Sequence, residues 1–179
     1  MFLPATTIIA DYLEGNLFKS LVISTVLVFS SITTTFAYSQ SGTFPKGPDA
    51  VLTPGALCDH ADSLRYPEKI AYCERDVSSN LKKEIFVRYD QIGYRTQEMK
   101  RMAFKIDHFI PLCMGGGNDE KNLWPQHESI YQITDPLEPL LCEKMAEGRL
   151  SQKKAIEYII EAKNNLDQVG RIMKEVQKL

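Results

Sequence analysis

Apolar positions first take on a helical period after Val77. Leu81, Ile85, Phe86 and Tyr89 recur at the spacing of one helix face, with Ser78 or Ser79 ahead of them as a cap and Gly93 behind as a stop. The period then changes. Met102, Phe104 and Ile106 alternate with Ala103, Lys105 and Asp107, which predicts a half-buried strand. Pro111 to Asp119 contains Gly115, Gly116 and Gly117 in succession and must be a loop, and Asn122, Leu123, Trp124 and Pro125 read as a short return segment. Asp135 and Pro136 open a further helix, with Asp135 as cap, Pro136 at the first helical position and Glu138 at the third. That helix should run to about Glu147 and stop at Gly148. A final amphipathic helix after Ser151 carries Ile156, Ile159, Ile160, Leu166, Ile172, Met173 and Val176, a stripe suited to core packing. The expected fold class is α+β, with the folded domain over residues 58–179. Residues 38–57, rich in Gly, Pro, Ser and Thr, are expected as a flexible arm.

The N-terminal region has a different character. Lys19 precedes the uncharged run from Leu21 to Phe29, and small residues around Thr35 and Ala37 suit cleavage after Ala37, with cleavage after Ser39 as the second choice. The apolar part is about half of the roughly 20 residues that a membrane span requires. Residues 1–37 are therefore expected to be a signal peptide, the mature protein to be secreted or periplasmic, and no stable membrane association to remain after cleavage. Asp11 and Glu14 sit where such a segment should be positive, and a start codon assigned too far upstream of Leu17 would account for them. If the segment stayed uncleaved, the chain would instead be a membrane-tethered structural protein.

Export gives meaning to Cys58, Cys73, Cys113 and Cys142, which all follow the cleavage point. An even number in an oxidising compartment favours disulfides, and the long gaps between them do not suit a zinc knuckle. Of the three connectivities, Cys58–Cys73 with Cys113–Cys142 is favoured.

With a net charge of −2 and a pI of about 5.9, the chain has no overall basic field of the kind that marks many nucleic-acid-binding proteins. Locally the balance reverses. Lys82, Lys83, Arg88, Arg95, Lys100, Arg101 and Lys105 outnumber Glu84, Asp90 and Glu98, and Lys121 lies just beyond. Arg101, Lys105 and Lys121 are the candidate phosphate contacts, against the alternative of a solvated helix face. Asp107 and His108 end the predicted strand. A carboxylate there can hold a hard divalent cation, and an imidazole can take a proton from water near neutral pH.

The whole string from Asp107 to Gln126 resembles the Asp-His-x-x-Pro-Leu-x-x-Gly-Gly-x-Asn-x-x-x-Asn-Leu-Trp-Pro-Gln pattern of an HNH endonuclease family of bacteria and their phages. The resemblance extends upstream to Cys73, Glu74, Arg75, Asp76 and Val77, and downstream to Asp135, Glu138, Leu141, Cys142, Gly148 and Leu150. Because it covers both Cys73 and Cys142, it also keeps a Cys73–Cys142 pairing in play. It implies a ββα-metal core, a β-hairpin packed on a helix and gripping one divalent ion, Mg²⁺ or Mn²⁺, with Zn²⁺ a further candidate. His108 would be the general base, Asp107 a metal ligand, and Asn122 the residue that holds the hairpin loop and the histidine in place. Further ligands would fall at Tyr131 and Asp135. Tyr131 departs from the pattern, and Asp135 is open between ligand and helix cap because Pro136 should push it out of helical geometry. His127 is an alternative ligand or a surface residue. The implied activity is hydrolysis of phosphodiester bonds in DNA, with RNA as a second substrate. The rival is a catalytically degenerate module of the same fold that binds nucleic acid or a protein partner.

Overall fold

The computed structural model describes residues 43–179, so the expected signal peptide and its cleavage point lie outside the described residues. Two short antiparallel strands, β1 (Ser63–Arg65) and β2 (Ile70–Tyr72), come first, followed by helix α1 (Ser79–Gln91). Strands β3 (Phe104–His108) and β4 (Leu123–His127) form a second antiparallel pair, with Phe104 opposite His127 and His108 opposite Leu123. Helices α2 (Glu128–Thr134), α3 (Leu137–Ala146), α4 (Gln152–Asn164) and α5 (Val169–Val176) complete an α+β architecture. None of the described helices is long and apolar enough to cross a membrane.

Helix α1 forms as its pattern requires. The Ser78 hydroxyl accepts a hydrogen bond from Leu81 N at 3.1 Å, and Ile85, Phe86 and Tyr89 are buried. They join Val77, Phe104, Ile106, Phe109, Leu123, Trp124 and Ile130 in one core between α1 and the β3–β4 pair. A second core gathers Leu137, Leu141 and Met145 from α3, Ala155, Ile159 and Ala162 from α4, and Val169, Ile172 and Val176 from α5. Asp107 on β3 and Lys163 on α4 are buried and bonded to one another across these elements.

Several elements differ from the sequence expectation. Met102 is 90% exposed, because a 3₁₀ turn over Arg101–Ala103, held by Arg101 donating to the Phe104 carbonyl, delays the strand to Phe104. Helix α2 leaves no hydrophobic period in the sequence, and it falls where the resemblance implies a helix after the hairpin. It has only two turns, and its cap is His127, whose ring accepts from Ser129 N. Asp135 does not cap α3. It lies in the right-handed helical region at φ −59°, ψ −35°, as does Pro136, so α2 and α3 are nearly continuous and Pro136 does not expel Asp135 from helical geometry. The expected C-terminal helix is two helices, interrupted at Asn165 (φ −144°, ψ 96°). Its side chain accepts from Asp167 N, a local bond that competes with the helix. Gly148, at φ +69°, does end α3 as expected.

Residues 43–57 are docked rather than flexible. Thr53 is buried and donates to the Leu123 carbonyl at 2.9 Å while bonded to the Tyr89 hydroxyl at 2.8 Å. Phe44 stacks on His127 and meets Phe104 edge-on. Thr53 is thus a core residue, and Phe44 packs against the core, despite the loop-like composition of this stretch.

The disulfides are Cys58–Cys73 and Cys113–Cys142, with Cα separations of 5.6 and 5.9 Å. The Cys73–Cys142 alternative is excluded. The first bridge fixes the exit of β2 just before Arg75, and the second ties the loop after β3 to α3. Each contributes about 2–4 kcal/mol.

The glycine run is explained by close approach. Gly115 has φ +83°, and a side chain on Gly116 would run into the Ile110 carbonyl. The run pairs with the segment before Cys58, with Cys58 N donating to the Gly115 carbonyl and Gly117 N to the Ala56 carbonyl. Gly116→Ala should therefore destabilise the protein by about 1–3 kcal/mol through overpacking. A urea titration checks this; an unchanged midpoint would show that the loop has room to shift.

Candidate functional site

Asn122 is fully buried and organises the loop between β3 and β4. Its Oδ1 accepts from Ile110 N at 2.8 Å, and its Nδ2 donates to the carbonyls of Ile110 and Gly117, both at 2.9 Å. The Phe109 N–H donates to its backbone carbonyl at 2.7 Å. One amide side chain thus satisfies three buried backbone groups of a loop that cannot form a ladder. Asn122 does not touch the histidine; Asn118 does.

His108 sits at the end of β3 with its backbone opposite Leu123. Its Nε2 lies 3.0 Å from Asn118 Oδ1, and Asn118 Nδ2 donates to the Glu74 carbonyl at 2.6 Å. Its Nδ1 lies 3.4 Å from an Arg75 guanidinium nitrogen, and Arg75 donates a second bond to the Ile106 carbonyl at 2.8 Å. A guanidinium only donates, so these partners assign the proton to Nε2 and the lone pair to Nδ1. Burial pushes the imidazole pKa down to about 4; the Asn118 bond opposes this and the Arg75 charge adds to it. The ring is therefore neutral at pH 7.

Arg75 is a site residue that local sequence rules do not mark. Its signal was its place in the Cys73, Glu74, Arg75, Asp76 run that shares the family resemblance. Arg75 and Asn118 line an open cleft of about 540 Å³, together with Asp59, His60, Asp62, Cys73, Glu74, Asp76 and Asp119. Carboxylates dominate these walls, so a phosphate entering the cleft would depend on Arg75 for attraction.

Asp107 faces away from the cleft, into a buried charge network. Its Oδ2 accepts from Lys163 Nζ at 2.7 Å, and its Oδ1 lies 3.2 Å from Lys105 Nζ. Lys163, completely buried, also bonds to the His108 carbonyl at 2.6 Å and to Glu138 at 2.7 Å. Burial alone would push the Asp107 carboxyl up, but the Lys163 and Lys105 ammonium groups outweigh it and hold it below the usual carboxylate range. Burial raises the pKa of Glu138, against the pull of Lys163. Lys163 carries no signal, since an Ala-Lys-Asn sequence on an amphipathic helix reads as surface, whereas Glu138 lies within the resemblance without a role.

The other expected site residues are placed as follows. Asp135 binds Lys105 through both oxygens at 2.7 Å. His127 stands at the opposite end of the hairpin from His108, capping α2. Arg101 is exposed, donates once to the Phe104 carbonyl and lies over the Phe86 ring, whereas Lys105 is held by Asp107 and Asp135. Lys121 is exposed. These residues do not fit a divalent metal as arranged. The carboxylates of Asp107 and Asp135 are occupied by ammonium groups, and His127 is engaged with Ser129 and stacked on Phe44. Among the described residues, no three His, Cys, Asp or Glu side chains are grouped to hold an ion.

The fold and site together define a small disulfide-linked α+β protein in which a histidine-bearing hairpin end is underpinned by a buried lysine–carboxylate network. No protein-family model, no curated protein and no solved structure matches the chain.

The depressed pKa of His108 makes stability depend on acidity. Below about pH 6.5 the unfolded chain protonates this histidine, whereas the folded protein resists until about pH 4. Its contribution is thus intact above 6.5 and lost as the pH falls to 4, a loss of about 3 kcal/mol. Urea unfolding at pH 7 and pH 4.5, compared between wild type and His108→Gln, isolates this slope. An identical slope in both proteins would assign the acid sensitivity elsewhere.

Proposed function

We propose that this protein is an exported endonuclease of the HNH type that hydrolyses phosphodiester bonds in DNA and, secondarily, in RNA. The observation that carries this reading is the His108 imidazole, fixed by Asn118 and facing the Arg75 guanidinium, within the string that resembles the family. The β3–β4 pair followed by α2 supports the expected ββα core, and Asn122 supports its loop. The paired cysteines support an oxidising compartment, secreted or periplasmic.

The chemistry can be followed at His108 and Arg75. A phosphate diester drawn to Arg75 takes up guanidinium hydrogen bonds and leaves Nδ1 of His108 facing a water molecule. As the water oxygen attacks phosphorus, Nδ1 accepts its proton, and Nε2–H remains on Asn118. Arg75 stabilises the added charge on the phosphoryl oxygens, the bond to the leaving oxygen breaks, and that oxygen takes a proton from solvent. The resemblance also implies Mg²⁺, Mn²⁺ or Zn²⁺, which would supply Lewis-acid stabilisation. Because the residues named for it do not fit, no step is assigned to it.

A second reading is favoured by one observation: both nitrogens of His108 have partners, and Asp107 and Asp135 are both neutralised by lysines. On that reading the chain is a degenerate HNH module that binds nucleic acid or a protein partner. Plasmid nicking by the purified protein, with and without divalent cation, separates the two. Binding without cleavage of DNA or RNA under any of these conditions would sink the nuclease reading.

A further inference from the structure

Lys163 donates to Asp107 Oδ2 at 2.7 Å and to the His108 carbonyl at 2.6 Å, and it forms an ion pair with Glu138 Oε1 at 2.7 Å. On the other side, Lys105 Nζ lies between Asp107 Oδ1 at 3.2 Å and both oxygens of Asp135 at 2.7 Å. Each oxygen of Asp107 therefore faces an ammonium group, and Lys105 bridges the two carboxylates, Asp107 and Asp135, that the HNH resemblance nominates as metal ligands.

We infer that the Lys105 and Lys163 ammonium groups take the place of a divalent cation at Asp107, so that this carboxylate binds no metal in the native protein. A divalent ion would have to approach the carboxylate oxygens to about 2.0–2.6 Å. In doing so it would meet two positive charges already paired with the same oxygens. Lys163 cannot yield the position. It is completely buried on α4, between β3 and α3, and its own bonds hold the backbone of His108. Lys105 is one-third exposed in its side chain and is the only one of the two that could swing toward solvent. Two ammonium groups serve three carboxylates, of which Asp135 is the most exposed to solvent. This inference concerns the same site as the proposed nuclease activity, but a binding measurement tests it without any need for turnover.

The decisive experiment is a Mn²⁺ titration of the protein expressed from the full chain, followed by electron paramagnetic resonance. The Mn²⁺ signal of wild type and of Asp107→Asn should be indistinguishable. Lys105→Met, which frees Asp107 Oδ1 and both Asp135 oxygens while leaving Lys163 buried in place, should gain a saturable site. Adding Asp135→Asn should remove that gain. A wild-type site that disappears in Asp107→Asn overturns the inference, as does the failure of folded Lys105→Met to bind more Mn²⁺ than wild type. Circular dichroism confirms that each variant is folded. Absence of cleavage by wild type would instead count against the nuclease reading and leave the Mn²⁺ result standing.

Discussion

His108→Ala is expected to lower plasmid cleavage by about 10²–10⁴-fold, the usual cost of removing a general base. The protein should remain folded, because Asn122 and not His108 holds the loop. The loss should appear in kcat, since phosphate attraction in the cleft belongs to Arg75. Arg75→Ala should therefore raise KM as well as lower kcat, and Arg75→Lys should recover only part of the loss, because a lysine cannot bond to the Ile106 carbonyl and a phosphate in the same forked geometry. With a His108 pKa of about 4, the acid limb of the kcat/KM profile should lie near pH 4, well below the ordinary histidine range. Cleavage by His108→Ala at the wild-type rate would remove His108 from the mechanism, whatever the protein's activity.

Lys163→Met should destabilise the protein by about 3–5 kcal/mol, the typical result of leaving a buried partner charge uncompensated. Asp107 would keep only Lys105, Glu138 would lose its ammonium partner, and the His108 carbonyl would lose a donor. The triple variant Lys163→Met/Asp107→Asn/Glu138→Gln removes the charges together and should recover much of the loss. Urea unfolding of the single and triple variants measures both effects. A loss under about 1 kcal/mol for Lys163→Met would mean that water or proton uptake compensates the carboxylates, and that the network adds little to stability.

Much of the scaffold was legible without coordinates. Helix α1, its Ser78 cap, the strand ending at His108, the return strand from Leu123 and the stop at Gly148 all rest on local rules: hydrophobic period, cap chemistry and glycine geometry. The favoured cysteine pairing followed from a short loop and from the need to tie the glycine loop to the next helix. Where local rules misled, a distant partner had intervened. The arm over 43–57 has a loop composition, yet Thr53 and Phe44 are placed by Tyr89, Leu123 and His127. Asp135 resembles a helix cap, yet Lys105 claims its carboxylate.

Sequence alone determined which residues are chemically capable: a carboxylate and an imidazole side by side, an asparagine at the loop's return, and cysteines suited to pairing. The resemblance placed Asp107 and His108 at one metal site, yet both lie within a regular strand, whose alternation sends them to opposite sides. Only the tertiary structure decided what each side holds. His108 turns to Arg75 and Asn118, which come from segments well separated along the chain, and Asp107 turns to Lys163, which arrives from α4. The physical reason is that charge pairing is set by distance in space, and a buried ammonium leaves no periodic mark on the sequence that brings it there.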